Sequence, residues 1–211
     1  MGAQKASERS HKNLQDKMKA QGLKLPLYPT PAIIERARTA MGSIDFDPTS
    51  DPIQQVLVNA TAVPSLEKNP LQEHWSGNCF VAPKGAVKNT RLWLNKTIDE
   101  YRGGYIKSFV FFTSASEILR SCPVIMDYPF CIPFKRIRHL RASPKGFETT
   151  SPSTWNIIVY GPPTEQVLQN IDRVTLFYNT FCDIGRVCFN EFAGDNWKKD
   201  RDYYEEKKGN V

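Results

Sequence analysis

Residues 90–122 read "TRLWLNKTIDEYRGGYIKSFVFFTSASEILRSC", and the fold class turns on this stretch. The first part is spaced as an amphipathic helix, with Leu92, Ile98 and Tyr101 expected on its inner face. Gly103-Gly104 stops it. Residues 105–114 then form an apolar run through Phe109–Phe112, which predicts a strand buried on both faces. A short helix over 114–122 follows, with Ser114 or Ser116 as cap and Glu117 in its first turn.

Working outward, the same alternation continues. Toward the N-terminus, Cys79-Phe80-Val81 predicts a strand. Ahead of it, "YPTPAIIERARTAMG" (28–42) predicts a helix that Thr30 caps, Pro31 opens and Gly42 ends. Ile33, Ile34, Ala37 and Met41 share its apolar face. Ile44-Asp45-Phe46-Asp47-Pro48 alternates like a strand, and Thr49, Ser50 and Asp51 form a turn. A short helix is predicted near "IQQVLVNA". Toward the C-terminus, "PVIMDY", "FKRIRHLR" and "TWNIIVYG" are strand candidates, the second apolar at Phe134, Ile137 and Leu140. Residues 164–189 predict one or two helices, with Val167, Ile171, Val174, Leu176 and Phe177 apolar. Strands alternating with helices imply an α/β domain with a parallel or mixed sheet. The domain is expected over residues 26–192, between a basic arm (1–25) and a charged tail (193–211).

Composition narrows the classes. The chain has 211 residues, 40% of them hydrophobic, and a net charge of +6. No apolar run reaches the ~18 residues of a membrane span. The polar, basic start lacks the apolar core of a secretory signal. The five cysteines are odd in number and form no CxxC pair, so they read as buried thiols in a reducing cytosol. His11, His74 and His139 are too scattered for a metal site. GxGxxG and GxxxxGK[ST] are both absent, so ordinary dinucleotide and P-loop fingerprints are lacking.

Positive charge favours an anionic partner. Lys135, Arg136, Arg138, His139 and Arg141 crowd one strand candidate, where alternation would set Arg136 and Arg138 opposite Ile137. That spacing suits phosphate contacts to DNA; a charge-protected edge strand gives the same pattern. Aromatic residues near the arm or tail, Tyr28, Trp197, Tyr203 and Tyr204, could stack on bases. The arm itself reads as a solvated tail or as a nucleic-acid arm.

Two blocks carry a family resemblance: "YPTPAIIERARTAMGSIDFDPTSD" (28–51) and "WSGNCFVAPKG" (75–85), followed by the later strands. In order and spacing they resemble the phage-type DNA N-6-adenine methyltransferase family. That family shows Tyr-Thr-Pro-Pro before a helix, Asp-x-Asp-Pro-Ala-Ser after a strand, then Trp-x-Gly, a strand and Asn-Pro-Pro-Tyr. The resemblance spans about residues 26–162 and implies a Rossmann-like S-adenosylmethionine-dependent fold with a mixed sheet. It implies a cofactor role for Tyr28, Thr30, Pro31, Asp45, Asp47, Pro48 and Ser50. Taken alone, Asp45 and Asp47 could equally be helix caps or turn acids.

Ala82-Pro83-Lys84-Gly85 falls where the family has Asn-Pro-Pro-Tyr. The resemblance implies that the Asn and a proline carbonyl accept from adenine's exocyclic amine, and that the Tyr stacks on a flipped base. Here Pro83 keeps its carbonyl, Ala82 has no side-chain acceptor, Lys84 adds a cation and Gly85 has no ring. Adenine methylation is therefore expected to be weak or altered. The alternative is a catalytically silent relative that binds DNA or a protein partner. No metal and no membrane partner are expected.

Overall fold

The run at 105–114 forms an interior strand, Ile106–Thr113, of a five-stranded sheet. The computed structural model describes residues 26–189, except 66, 86, 144–145, 164–166 and 169–170; the arm and the tail lie outside the described residues. In chain order the elements are β1 (Leu27–Tyr28), α1 (Pro31–Met41), α2 (Pro52–Val58), β2 (Gly77–Val81), α3 (Val87–Arg102) and β3 (Ile106–Thr113). Then follow α4 (Ile118–Ser121), a 3-10 turn (Pro123–Asp127), β4 (Phe130–Pro133), β5 (His139–Ser143), β6 (Gly146–Thr150) and β7 (Ile157–Gly161). A two-residue pair, β8 (Val167–Leu168) and β9 (Ile171–Asp172), precedes α5 (Arg173–Phe181) and β10 (Gly185–Cys188).

The main sheet runs β10-β4-β7-β3-β2. Only β2 and β3 are parallel, joined through α3; the other pairs are antiparallel. The molecule is thus α/β with a mixed sheet. Strand periodicity divides the core. Phe80, Val110, Phe112, Ile158 and Tyr160 face one side, with residues of α1 and α5. Cys79, Val81, Phe109, Phe111 and Val159 face the other, with residues of α3 and α4. Both faces are buried, which is why Phe109–Phe112 of β3 and Ile157–Tyr160 of β7 are continuous apolar runs. A second sheet, β1-β5-β6, covers a smaller cluster of Tyr28, Ile53, Leu140 and Ala142.

Helix α1 matches its sequence signals. Ile33, Ile34, Ala37 and Met41 are buried, Pro31 opens the first turn, and Gly42 ends the helix at φ 90°. Thr30 caps through its carbonyl, which accepts from Ile33 N and Ile34 N, and its side chain makes no cap bond.

Several expectations change. In α3 the buried stripe is Thr90, Leu94, Thr97, Ile98 and Tyr101, and Leu92 is half exposed because it sits off that stripe. The 44–48 segment makes only single bridges at Phe46, to Ala62 and Cys79. Helix α4 starts later than expected; neither Ser114 nor Ser116 caps it, and Glu117 holds the cap position. "PVIMDY" is the 3-10 turn Pro123–Asp127 followed by Tyr128, with Ile125 and Tyr128 buried, and the strand follows it at Phe130. The basic segment becomes a strand only at His139: Phe134 is exposed, and Ile137 N donates to Asn156 Oδ1 rather than to a ladder. Within 164–189 only Arg173–Phe181 is helical among the described residues, because β10 claims Gly185–Cys188 for the sheet edge.

Candidate functional site

The acidic segment is laid along β2 by backbone bonds. Asp45 N and Phe46 N donate to Asn78 O, and Phe80 N donates to Phe46 O. The Asp45 carboxylate accepts from Asn78 N at 2.9 Å. That approach requires glycine at 77, which sits at φ +71° and where a Cβ would lie 2.5 Å from Asp45 Oδ2.

Asp47 turns inward and is fully buried. Its Oδ1 accepts from Thr49 N (3.0 Å) and Thr49 Oγ1 (2.7 Å), and its Oδ2 from Gln54 Nε2 (2.7 Å). Burial raises its pKa to about 6, against the lowering effects of Gln54, Thr49 and the Lys84 charge. Thr49 Oγ1 also accepts from Ala82 N at 3.0 Å. The carboxylate therefore braces the turn that supports the residues after β2.

Asp51 finishes the turn. Its Oδ1 caps α2, accepting from Ile53 N and Gln54 N. Its Oδ2 accepts from Lys84 Nζ (2.7 Å) and Tyr28 OH (3.2 Å). Lys84 also donates to Thr49 O at 3.0 Å, and its ammonium lies 5.0 Å from the centre of the Tyr28 ring. Burial and the Asp51 charge push the Tyr28 phenol up. The acids near position 46 and the tetrad at 82–85 thus share one rim of the sheet.

That rim opens into a cleft of about 960 Å³. Ala82–Gly85 and Val87 line one side, and Thr113, Ser114, Ala115 and Glu117 line the end of β3. His139, Arg141 and residues 151–154 close the far wall, with Pro26, Leu27 and Pro29 at the edge. Thus the cleft lies at the carboxyl ends of the parallel pair, where open α/β sheets bind ligands. His139 is buried and stacks on Phe112, centroids 5.2 Å apart. Its Nδ1–H donates to Ile137 O, and burial lowers its pKa.

The residues expected to bind cofactor stand behind the cleft rather than in it. Tyr28, Asp47 and Pro48 are buried, and none of the seven, Tyr28, Thr30, Pro31, Asp45, Asp47, Pro48 or Ser50, lines the cleft. Asp47 acts on the cleft through Thr49 and Ala82. The tetrad, by contrast, lines it directly. In the expected nucleic-acid set, Lys135, Arg136 and Arg138 are exposed in the connection before β5, Arg141 is exposed beside the cleft, and His139 is inside. Tyr28 has no exposed ring to stack on a base, and Trp197, Tyr203 and Tyr204 lie outside the described residues.

Sequence reasoning missed the hydroxyl wall of Thr113, Ser114 and Thr154, and the part played by Gln54. The only signal for the first was position: Thr113 and Ser114 end a strand. Gln54 had none. Among the described residues no group of three His, Cys, Asp or Glu could hold a metal ion, and no helix is long and apolar enough to cross a membrane. Comparison with protein-family models, with curated proteins and with solved structures found no match to the chain.

Proposed function

We propose that the chain is a methyltransferase-like protein whose cleft takes S-adenosylmethionine and an adenine of DNA, with N6 methylation weak or altered in target. The supporting observation is the hydrogen bond from Ala82 N to Thr49 Oγ1. It joins, behind the cleft wall, the two sequence blocks that resemble the DNA N-6-adenine methyltransferase family.

The donor set of the cleft suits a zwitterionic nucleoside. Glu117 offers a carboxylate to an ammonium or to ribose hydroxyls, Lys84 and Arg141 offer cations to a carboxylate, and Leu27, Val87 and Phe112 offer apolar surface to a base. When bound, S-adenosylmethionine supplies an electrophilic methyl group. The chain's own part is orientation. The Pro83 carbonyl, which accepts no hydrogen bond among the described residues, is available to an adenine N–H. Ala82 adds no second acceptor and Gly85 no stacking ring. Loss of one such electrostatic partner costs about 10²–10³ in rate.

One observation favours the second reading, a catalytically silent relative that binds DNA or a protein partner. Lys84 is built into the wall by Asp51, Thr49 O and the Tyr28 face, so a cation is fixed beside the position where positive charge would develop on nitrogen.

Calorimetry with S-adenosylmethionine and a methyl-transfer assay on adenine-containing DNA test both. Gly85 sits at φ +107°, where tyrosine would be strained, so the repair variant is limited to Ala82→Asn with Lys84→Pro. Cofactor binding with slow transfer that the variant accelerates is the expected result. No cofactor binding by the native protein ends the first reading. Binding with no transfer by either protein selects the second.

A further inference from the structure

Phe134 and Trp155 are large apolar side chains left 60% and 41% exposed. Single exposed hydrophobics are ordinary, but these two are held together. Trp155 Nε1 donates to Pro133 O at 2.7 Å, which sets the indole against the peptide that leads into Phe134. The Phe134 backbone is tied down in turn, its N–H donating to Ile184 O at 2.9 Å. Cations follow immediately: Lys135, Arg136 and Arg138 are all exposed.

This ridge is continuous with the cleft. Arg136 Nη1 donates to Pro152 O (3.1 Å) and Ser153 O (3.3 Å), and the same two residues line the far wall of the cleft with Thr154. Thr154 in turn donates through Oγ1 to Ser114 O on the β3 side. Arg141 stands at the cleft's own edge. Aromatic surface and positive charge thus run from outside the molecule to the cleft wall.

We propose that this ridge is a platform for a DNA strand with unpaired bases, Phe134 and Trp155 stacking on base faces while Lys135 and Arg136 meet phosphates. A duplex hides its base faces in the stack, so exposed rings gain contact only from bases that are single-stranded or turned out. Charge complementarity selects nucleic acid over an apolar protein partner. The inference deepens the proposed function, since it names the form in which DNA reaches the cleft.

Fluorescence anisotropy with a short single-stranded DNA and its duplex tests it on the full chain. The single strand is expected to bind more tightly. Phe134→Ala and Trp155→Leu should each weaken it by about tenfold and leave the salt slope unchanged. Arg136→Ala should reduce that slope by about 0.7. Phe134 is exposed, so its variant keeps the native melting temperature; if Trp155→Leu lowers it through the lost Pro133 bond, Phe134→Ala carries the test. Unchanged affinity in Phe134→Ala, or tighter binding of the duplex, overturns the proposal. Calorimetry with S-adenosylmethionine separates the two readings. Phe134-dependent DNA binding without cofactor binding leaves the ridge standing and removes the cleft reading. Cofactor binding with DNA affinity insensitive to Phe134 does the reverse.

Discussion

At the scale of the residue, Asp47 is the most informative side chain. A carboxylate with no exposure keeps its charge only because Thr49, Gln54 and, at longer range, Lys84 face it. Its folded pKa is about 6, above the ordinary 3.8. The native state therefore binds this proton more tightly than the unfolded chain. The corresponding stability is present below pH ~4 and is lost as pH rises through about 6. At ~1.4 kcal/mol per unit, the loss amounts to about 3 kcal/mol. His139 works in the opposite sense: burial lowers its pKa below 6.5, so its contribution is lost as the solution becomes more acidic. Asp47→Asn isolates the first effect. Gln54 Oε1 has no partner among the described residues, so an amide at 47 could supply it with an N–H. Urea denaturation across pH 4–7 should show the variant gaining on the native protein as pH rises, by about 2–3 kcal/mol in total. A constant difference between the two curves would mean that Asp47 does not titrate in this window.

At the scale of the element, the C-terminal half of α3 is held by two kinds of chemistry. Leu94, Ile98 and Tyr101 pack it on the sheet, and Tyr101 OH donates to Pro162 O. Glu100 ties it to the segment ahead of β2. Its nearly buried carboxylate accepts from Trp75 N (2.9 Å), Lys96 Nζ (2.7 Å) and the His74 ring at Nδ1 (3.1 Å). His74 in turn stacks on Tyr105, centroids 3.7 Å apart. Removing the acid leaves the Trp75 amide and the Lys96 ammonium without their shared acceptor. Glu100→Ala should then cost about 3 kcal/mol or more, and Glu100→Gln, which keeps an oxygen, distinctly less. Equal midpoints for the two variants in chemical denaturation would show that the retained oxygen and bulk recover nothing, so that the charge of the carboxylate carries the whole effect. Helical spacing alone did not single out Glu100, because an acid on a helix reads as solvated until a neighbour covers it.

At the scale of the whole molecule, a sheet buried on both faces decides which groups meet solvent. Cys79, Cys122 and Cys131 are buried, whereas Cys182 and Cys188 are partly exposed, and all five are free thiols. Burial pushes the Cys131 thiol up to about 12 and Cys79 well above its ordinary value, which leaves little thiolate to react. Titration with an aromatic disulfide reagent should modify two thiols quickly in the native protein and all five in denaturant. Fast reaction of a third would place one of the buried cysteines at the surface.

The sequence by itself determined the α/β class, the helix that opens at Pro31 and ends at Gly42, and a strand within each of the segments 79–82, 105–114 and 154–161. Those features are local: apolar period, a proline that opens a helix, a glycine that ends one. Only the tertiary structure decided that Asp47 braces the rim from inside and Lys84 is locked to Asp51. It also decided that His139 belongs to the cleft wall, that Phe134 faces outward, and that β10 completes the sheet edge. Each depends on which distant residue supplies the partner: Ala82 for Thr49, Asn156 for Ile137, β4 for β10. A side chain's own neighbours in sequence carry no record of that choice, because burial and hydrogen bonding across the sheet are set by packing between segments.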